Sequence, residues 1–379
     1  MEKNEINKIV LVGPVYPYKT GLSYYVALLY KQLSKNHDTE LISYSMLYPK
    51  ILYGKDDKDY SDDVLKIDEA QFILNSANPF NCIKVANKIK KMTPDLVIFQ
   101  WLHPYFAPSN YILLKVLGKK IKTLYICHNV FPHERFPMDK QLTKMALKPA
   151  NFFITHSESD AEDLKSIIKN PKVKVGVHPT YDFFKQKNLT KGQARDILGI
   201  RQDEDVLLFF GLVREYKGLK HLINAMGLLK GRDKLKLIIA GDFCGHRQEY
   251  NELITNAGIE DKLIIDDRHI PIEEVEKYFA ASDIVVLPYE SATQSGVIQV
   301  AYSFEKPVLA TNVGGLPDVV RDMQTGYLIE PFNPGSIAEK IQDFFDNNRA
   351  DIFRDGVIQE KYRFSWERME ENIKEVIAQ

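Results

Sequence analysis

Short apolar runs alternate with helix-like segments along the first half of the chain. The runs are "KIVLVGP", "TELISYS", "DLVIFQ", "KTLYIC", "NFFIT" and "VKVGV", and each has the length of a buried strand. Segments with helical periodicity lie between them, near residues 79–91, 109–117, 140–147 and 158–169, and Ser157 is placed to cap the last of these. This alternation predicts a parallel sheet with helices on both faces.

A second series of the same kind begins at Asp205. Its apolar runs are "DVLLFFG", "KLKLIIAGD", "KLIID", "DIVVLPY", "KPVLAT" and "GYLIE", with helical periodicity near 217–229, 247–256 and 272–281. Residues 178–193 lack periodicity and are predicted to be a linker, and the tail from residue 334 is predicted to be helical. The predicted fold class is α/β, with Rossmann-like doubly wound domains at 1–185 and 186–360 that face a central cleft.

The composition narrows the class of protein. Of 379 residues, 45% are hydrophobic and 27% charged, and Lys+Arg 50 nearly cancels Asp+Glu 51, so no nucleic-acid partner is expected. Cys82, Cys127 and Cys244 are too few and too scattered for a disulfide framework. The charged start "MEKNEINK" predicts no signal peptide, and the longest apolar run, 206–213, is too short to span a bilayer. We therefore expect a cytoplasmic protein.

Two cations follow the first strand of the second series. In open α/β sheets, ligands bind beyond the carboxyl ends of the strands, and Arg214 and Lys217 lie there in "LVREYKGLKH". Together they could bind a diphosphate, Arg as a planar fork and Lys as a point charge, with Gly218 relieving crowding at the helix start. The alternative is an ordinary solvated turn.

Hydroxyl and amide side chains stand before the helix-like run "VIQVAYSF". They are Thr293, Gln294 and Ser295, followed by Gly296. The N–H groups at such a helix start favour phosphate and sugar oxygens, and the side chains of Gln294 and Ser295 could form hydrogen bonds with sugar hydroxyl groups. The alternative is a plain N-cap supplied by Thr293 or Ser295, and both interpretations can hold together.

The first domain offers weaker candidates. Gly21 follows the first strand and could allow a ligand close to the backbone, or it could merely form the turn. His128 directly follows "KTLYIC" and could donate a hydrogen bond to a substrate hydroxyl, or it could be structural. Cys127, His133 and Glu134 lie near it, but their spacing fits no common zinc pattern, so no metal is expected.

Several segments resemble a known family. "FFGLVREYKGLKHLINA", "DIVVLPY", "SGVIQVAYSFEKPVLATNVGGLPDVV" and "TGYLIE" look like the C-terminal half of retaining glycosyltransferases of family 4, which have the GT-B fold. "PVYPYKTGLSYYVALL", "CHNVFPHERF" and "FITHSESDAEDL" are similar to the N-terminal half. "FSWERMEENI", within 361–379, resembles the closing helix that crosses back to the first domain.

The resemblance implies a nucleotide-sugar donor bound mainly by the C-terminal domain. Arg214 and Lys217 would hold the diphosphate, and the main chain around His269, Ile270 and Pro271 would face the base. The remaining residues that it implies line the sugar and phosphates or close the site from the first domain: Gln294, Ser295, Gly296, Val297, Gly21 and His128. Family members retain the anomeric configuration and need no metal, so no cofactor is expected beyond the sugar nucleotide.

One family feature is absent at the aligned positions. The family commonly has two glutamates eight positions apart, where this chain has Ala292 and Val300. Glu290 and Gln299 lie close by but out of register. Either they substitute for the glutamates, or Gln294 and Ser295 make the hydroxyl contacts.

The expected function is transfer of a hexose from a nucleotide-diphosphate sugar to a glycan, a lipid-linked acceptor or another hydroxyl, in cell-surface polysaccharide or glycoconjugate synthesis. The alternatives are an inactive sugar-nucleotide-binding scaffold subunit and a GT-B-like epimerase. A metal-dependent transferase would need an Asp-x-Asp after a strand, whereas Asp57 and Asp59 lie in a charged loop; a nicotinamide enzyme would need a G-x-G-x-x-G, which is absent.

Lysine clusters in the first domain suggest a further partner. They could dock on an anionic membrane, at the inner face of the cell membrane, or they could be ordinary solvated helix faces. The lysines concerned are Lys84, Lys88, Lys90, Lys91, Lys115, Lys119, Lys120 and Lys122.

Overall fold

A computed structural model of the chain describes residues 6–18, 21–49, 58, 65–132, 135–292 and 294–379. The chain divides into two compact units: Met1–Gly176 with Trp366–Gln379, and Val177–Ser365. The sequence predictions for His133, Glu134, Thr293 and the Asp-x-Asp of the charged loop lie outside the described residues.

The first unit is built on a parallel sheet in the order β3-β2-β1-β4-β5-β6-β7. Its central strands β1, β4, β5 and β6 are almost wholly buried, which explains their nearly continuous apolar sequences. The strands are β1 (Lys8–Val12), β2 (Asp38–Met46), β3 (Gln71–Asn75), β4 (Leu96–Trp101), β5 (Lys122–Cys127), β6 (Phe152–Thr155) and β7 (Lys172–Val175). The helices are α1 (Gly21–Leu33), α2 (Pro79–Lys91), α3 (Ala107–Leu117), α4 (Asp139–Leu147) and α5 (Glu158–Ile167).

The second unit repeats this plan in the order β10-β9-β8-β11-β12-β13, and all of these pairs are parallel. Its strands are β8 (Asp205–Phe210), β9 (Leu235–Ala240), β10 (Leu263–Asp266), β11 (Ile284–Leu287), β12 (Val308–Thr311) and β13 (Gly326–Ile329). Its helices are α6 (Lys191–Leu198), α7 (Leu219–Leu228), α8 (Arg247–Ala257), α9 (Ile272–Ala281), α10 (Gly296–Ser303), α11 (Pro334–Asp346) and α12 (Arg349–Glu360). The predicted pair of Rossmann-like sheets is confirmed.

Strand order reverses once in each sheet. In the first sheet β1 lies between β2 and β4, and in the second β8 lies between β9 and β11. At such a reversal the connections leave in opposite directions and open a crevice at the carboxyl ends of the two central strands. The fold therefore marks the ends of β1 and β4, and of β8 and β11, as the places for a ligand in each unit.

The last helix, α13 (Trp366–Ile377), belongs to the first unit. The carboxylate of Glu370 accepts hydrogen bonds from Gln32 (2.8 Å) and Asn36 (3.1 Å) of that unit. Asn372 packs so closely on Gly176 that a Cβ there would lie 2.6 Å from its side-chain nitrogen. These buried polar contacts fix the helix against the first sheet.

Most predicted elements are confirmed, and two were missed. Ser157 caps α5 as predicted, since its side chain accepts from the backbone N–H of Asp160. The edge strand β3 was not predicted, nor was α6. Because α6 begins at Lys191, the prediction of a linker through residue 193 was wrong in its last part.

The described residues contain no helix that is long and apolar enough to cross a membrane.

Candidate functional site

The turn after β8 holds the two predicted phosphate-binding cations. Arg214 precedes a short 3-10 turn, Glu215–Lys217, and is exposed, whereas Lys217 is half-buried. Gly218 follows with φ +65°, and a Cβ there would lie 2.0 Å from the carbonyl oxygen of Pro288. The predicted need for glycine at the helix start is thus real, and the crowding comes from the segment that follows β11.

Lys217 has lost most of its hydration. Burial lowers the pKa of its ammonium to about 8; the nearby Cys244 thiol opposes the shift, and the positive charge of Arg214 adds to it. Its Nζ lies 5.8 Å from the ring centre of Tyr289, and a Cβ at Gly211 would come within 3.2 Å of it. Among the described residues the side chains of Arg214 and Lys217 have no hydrogen-bond or ion-pair partner.

The start of α10 lies beside this lysine. A Cβ on Gly211 would come within 3.9 Å of Val297 as well as close to the Lys217 ammonium, so the two segments meet at Gly211. Ser295 occupies the N-cap position but makes no side-chain capping hydrogen bond; its hydroxyl lies 3.4 Å from that of Tyr289. The alternative of a plain N-cap is therefore not supported for Ser295, whose side chain leaves the first-turn N–H groups to other acceptors; the second capping candidate, Thr293, lies outside the described residues.

The two out-of-register candidates for the family glutamates lie in different surroundings. Glu290 accepts hydrogen bonds from His221 Nε2 and Lys220 Nζ, both at 2.9 Å. Gln299 is only 2% exposed, and its Oε1 has no hydrogen-bond partner among the described residues. A buried acceptor without a donor is costly, so Gln299 is the better candidate of the two for a ligand hydroxyl.

The segment after β10 is held by ion pairs. Arg268 donates to both Asp266 (2.8 Å) and Glu274 (2.9 Å), and these contacts fix the main chain on either side of Ile270 and Pro271. Ile270 is buried and Pro271 is the N-cap residue of α9. The backbone predicted to face a nucleotide base is thus pre-ordered.

The first unit places Gly21 and His128 at the carboxyl ends of its strands. Gly21 begins α1, and a Cβ there would meet no atom within 4 Å. His128 shares a 2.8 Å hydrogen bond between its Nε2 and the Oε1 of Gln100, and its ring packs edge-on against Tyr25 at 4.6 Å. These contacts give His128 a structural role at Nε2, and its predicted contact with a substrate hydroxyl stays a prediction.

Two residues of the site were missed in the sequence. Gly211 lies directly after β8 with a φ of +100°, which favours glycine, and its backbone lies so close to the next strand end that a Cβ on Gly241 would fall 2.1 Å from the carbonyl oxygen of Gly211. Tyr289 lies two residues after β11 and places its ring beneath the Lys217 ammonium. Their positions after the two central strands were the available signal.

No group of three His, Cys, Asp or Glu side chains in the described ranges is arranged to hold a metal ion. Metal independence itself stays a prediction.

Two Rossmann-like units of this strand order define the GT-B class of fold, and solved structures confirm it. The chain aligns with HepE of Anabaena, solved in complex with UDP, at a TM-score of 0.75 and 16% identity, covering 98% of this chain and all (100%) of that one. A glycosyltransferase of Rickettsia africae aligns at a TM-score of 0.71 and 21% identity, covering 98% and 99%. At these identities the likeness concerns the fold.

Sequence comparison relates the second unit to a described protein family. Residues 190–364 match the family model described as glycosyl transferases group 1. A D-inositol 3-phosphate glycosyltransferase of Paenarthrobacter aurescens is 29% identical over 182 residues, 46% of this chain and 44% of that protein. An uncharacterized glycosyltransferase of Methanocaldococcus jannaschii is 32% identical over 194 residues, 49% and 48%. The chain spans about half the length of the curated relatives it matches, so the comparisons show a GT-B fold whose second unit is similar to glycosyl transferases group 1.

Proposed function

We propose that the protein is a retaining, metal-independent glycosyltransferase of family 4. It transfers a hexose from a nucleotide-diphosphate sugar to a hydroxyl of a glycan or a lipid-linked acceptor, in the synthesis of cell-surface polysaccharide or glycoconjugate. The proposal rests on the group 1 family match of residues 190–364 and on the geometry at the ends of β8 and β11.

One observation carries the proposal. Arg214 and Lys217 form a pair of cations without an anionic partner among the described residues, and Lys217 lies beside the start of α10, which the Ser295 side chain does not cap. Two like charges three residues apart, one of them desolvated, are unfavourable in the absence of an anion. A diphosphate would satisfy the cations and the helix N–H groups together.

In this mechanism the donor's diphosphate leaves as the bond from the anomeric carbon to its phosphate oxygen breaks. Negative charge grows on that oxygen, and Arg214, Lys217 and the first N–H groups of α10 stabilise it in place of a metal ion. The acceptor oxygen bonds to the anomeric carbon on the same face that the diphosphate leaves, which preserves the configuration. The acceptor's proton passes to a phosphate oxygen of the departing diphosphate.

The donor class is supported by the solved neighbours. HepE of Anabaena has been solved with UDP and with UDP-glucose. We propose a nucleotide-sugar donor of this kind for the present chain, with Gln294, Ser295 and Gln299 contacting its hydroxyl groups and the main chain at Ile270 and Pro271 facing its base.

A thermal-shift panel of UDP-, GDP- and ADP-sugars, followed by product analysis with and without EDTA, tests the proposal. We expect one nucleotide series to raise the unfolding temperature and a retained anomer to form at equal rates in EDTA. Binding without turnover across a panel of acceptors would indicate a scaffold subunit instead. Release of a free isomerised sugar in the absence of acceptor would indicate an epimerase.

A further inference from the structure

The turn that carries the two cations is tied to the segment after β11 by its backbone. The N–H of Glu290 donates to the carbonyl oxygen of Tyr216 at 2.7 Å. Two residues further along the turn, Gly218 packs against the carbonyl oxygen of Pro288 so closely that no side chain fits. The segment Pro288–Glu290 therefore braces the turn at both of these points.

The side chain of Glu290 adds a third tie. Its Oε1 accepts from Lys220 Nζ and from His221 Nε2, both at 2.9 Å, and both donors lie in the first turn of α7 directly after the cationic turn. The side chain is 17% exposed. Burial alone would raise the pKa of this carboxyl, but the hydrogen bonds from Lys220 and His221 outweigh burial and lower it, so Glu290 is charged at neutral pH.

These contacts give Glu290 a different task from the donor contact that its sequence position suggested. We propose that Glu290 is a positioning residue, which clamps the Arg214–Gly218 turn to the end of β11 and so presets both cations before a donor arrives. This inference rests on the proposed function, because the preset cations matter only if they bind a diphosphate.

The clamp counteracts two effects that destabilise the turn in the absence of a ligand. Arg214 and Lys217 repel each other, and Lys217 is held away from water, so both effects favour opening of the turn when no anion is bound. The Glu290 carboxylate, bound to Lys220 and His221 in the first turn of α7, opposes that opening. Preset cations bind more tightly than cations that must first be ordered, because the ordering cost is already met in the free protein.

The test compares Glu290→Gln with wild type in two measurements. Amide hydrogen exchange over residues 212–221, without nucleotide, should become about tenfold faster in the variant, since a local contact to a charge is lost. Titration with UDP, and with pyrophosphate as a second probe, should show affinity about 5- to 20-fold weaker, the range for one lost charge-assisted contact. Glu290→Asp keeps the charge and should restore much of both.

Two further variants make the result specific. His221→Asn removes one partner of the carboxylate and should raise exchange over the same residues, which keeps the test valid if Glu290→Gln folds poorly. Asp346→Asn removes an ion pair with Arg232 (2.7 Å) in the same unit, away from the cationic turn, and should change neither measurement.

The outcomes separate the two proposals. Weaker UDP binding with unchanged exchange over 212–221 would mean that Glu290 contacts the donor directly, and the clamp would be wrong while the proposed function stood. Faster exchange with unchanged affinity for both probes would equally overturn the clamp. If wild type binds neither UDP nor pyrophosphate, the proposed function fails. Faster exchange in Glu290→Gln would in that case still show that the Glu290 carboxylate holds the turn in place.

Discussion

Lys217 is the residue on which the electrostatics of the candidate site depend. Its ammonium is largely desolvated, has Arg214 as a like-charged neighbour, and lies over the ring of Tyr289. A cation in such surroundings is less stable than in water, and an incoming anion relieves both penalties. This is the arrangement expected where a charge must be stabilised during a reaction and not before it.

Replacement of either cation should slow turnover without unfolding the protein. Each charge-assisted hydrogen bond is worth roughly 1.5–3 kcal/mol, so Arg214→Ala and Lys217→Ala should each lower kcat by about 10- to 200-fold. Steady-state kinetics with circular dichroism as a folding check measure this. Lys230→Ala, at an exposed position beyond α7, is the matched control. Near-wild-type rates in both site variants would remove the electrostatic basis of the mechanism.

The lowered pKa of Lys217 predicts a pH dependence. The free enzyme carries this positive charge below pH about 8 and loses it as the pH rises further. Donor kcat/KM, which reports groups of the free enzyme, should therefore fall as the pH rises through about 8. Lys217→Arg keeps its charge at all these values, so its profile should stay level to higher pH. An unchanged fall in that variant would assign the titration to another group.

At the scale of single residues, the sequence predicted which side chains lie at strand ends but not what they contact. Arg214, Lys217 and Ser295 are where the alternation of strands and helices put them. Glu290 was one of the candidates to contact the donor, whereas its observed partners Lys220 and His221 lie about seventy positions earlier in the chain. Nothing local in a sequence reports a pairing over that distance.

Among the elements, the junction of the cationic turn with the end of β11 is the tightest contact at the site. Gly218 has φ +65° and faces the carbonyl oxygen of Pro288, whereas Gly199, at the end of α6, has φ +68° and no atom within 4 Å of its Cβ position. The two glycines thus share a backbone conformation and differ only in crowding.

Alanine substitutions at Gly199 and Gly218 measure the cost of this crowding in unfolding free energy. Gly199→Ala should cost about 1 kcal/mol of unfolding free energy, the strain of the left-handed conformation alone. Gly218→Ala should cost about 2–3 kcal/mol, because the backbone of Pro288 must also move. Urea unfolding of both variants measures the difference. Equal losses would show that the contact with Pro288 yields without cost.

The elements that the sequence missed share a physical cause. The strand β3 lies at the sheet edge, and its "QFILN" is only half-buried, so its apolar pattern is weak. The sequence of helix α6 is mostly polar, which hides its periodicity. Thr190 and Gln193 nevertheless form a capping box, and the sequence "TKGQ" has the residues for it. In contrast α2 has the predicted bounds, since Asn78 caps it and Pro79 occupies its first turn.

At the scale of the whole molecule, charge is balanced overall but not along its surface. The outer face of α2 carries Lys84, Lys88 and Lys91 together with Phe80, which is 81% exposed, and Ile83. A cationic face with exposed apolar side chains suits an anionic lipid surface, where a lipid-linked acceptor would be found.

Binding to vesicles tests this partner. The protein should sediment with vesicles of anionic lipid at low salt and should be released at high salt, since each lysine near such a surface contributes about 1 kcal/mol. Changing Lys84, Lys88 and Lys91 together to Gln should weaken binding about a hundredfold. Sedimentation of wild type with neutral vesicles alone, or with none, would remove the anionic membrane from the proposal.

The division of the chain has a consequence for its synthesis. Because α13 belongs to the first unit, that unit still lacks a helix when the ribosome has already made all of Val177–Ser365. Domains generally fold as units when they emerge, so the second unit can be complete while the first waits for its last fourteen residues, 366–379. A nonsense mutation just before Trp366 would therefore harm the unit that was made before Val177–Ser365, leaving Gln32 and Asn36 without Glu370.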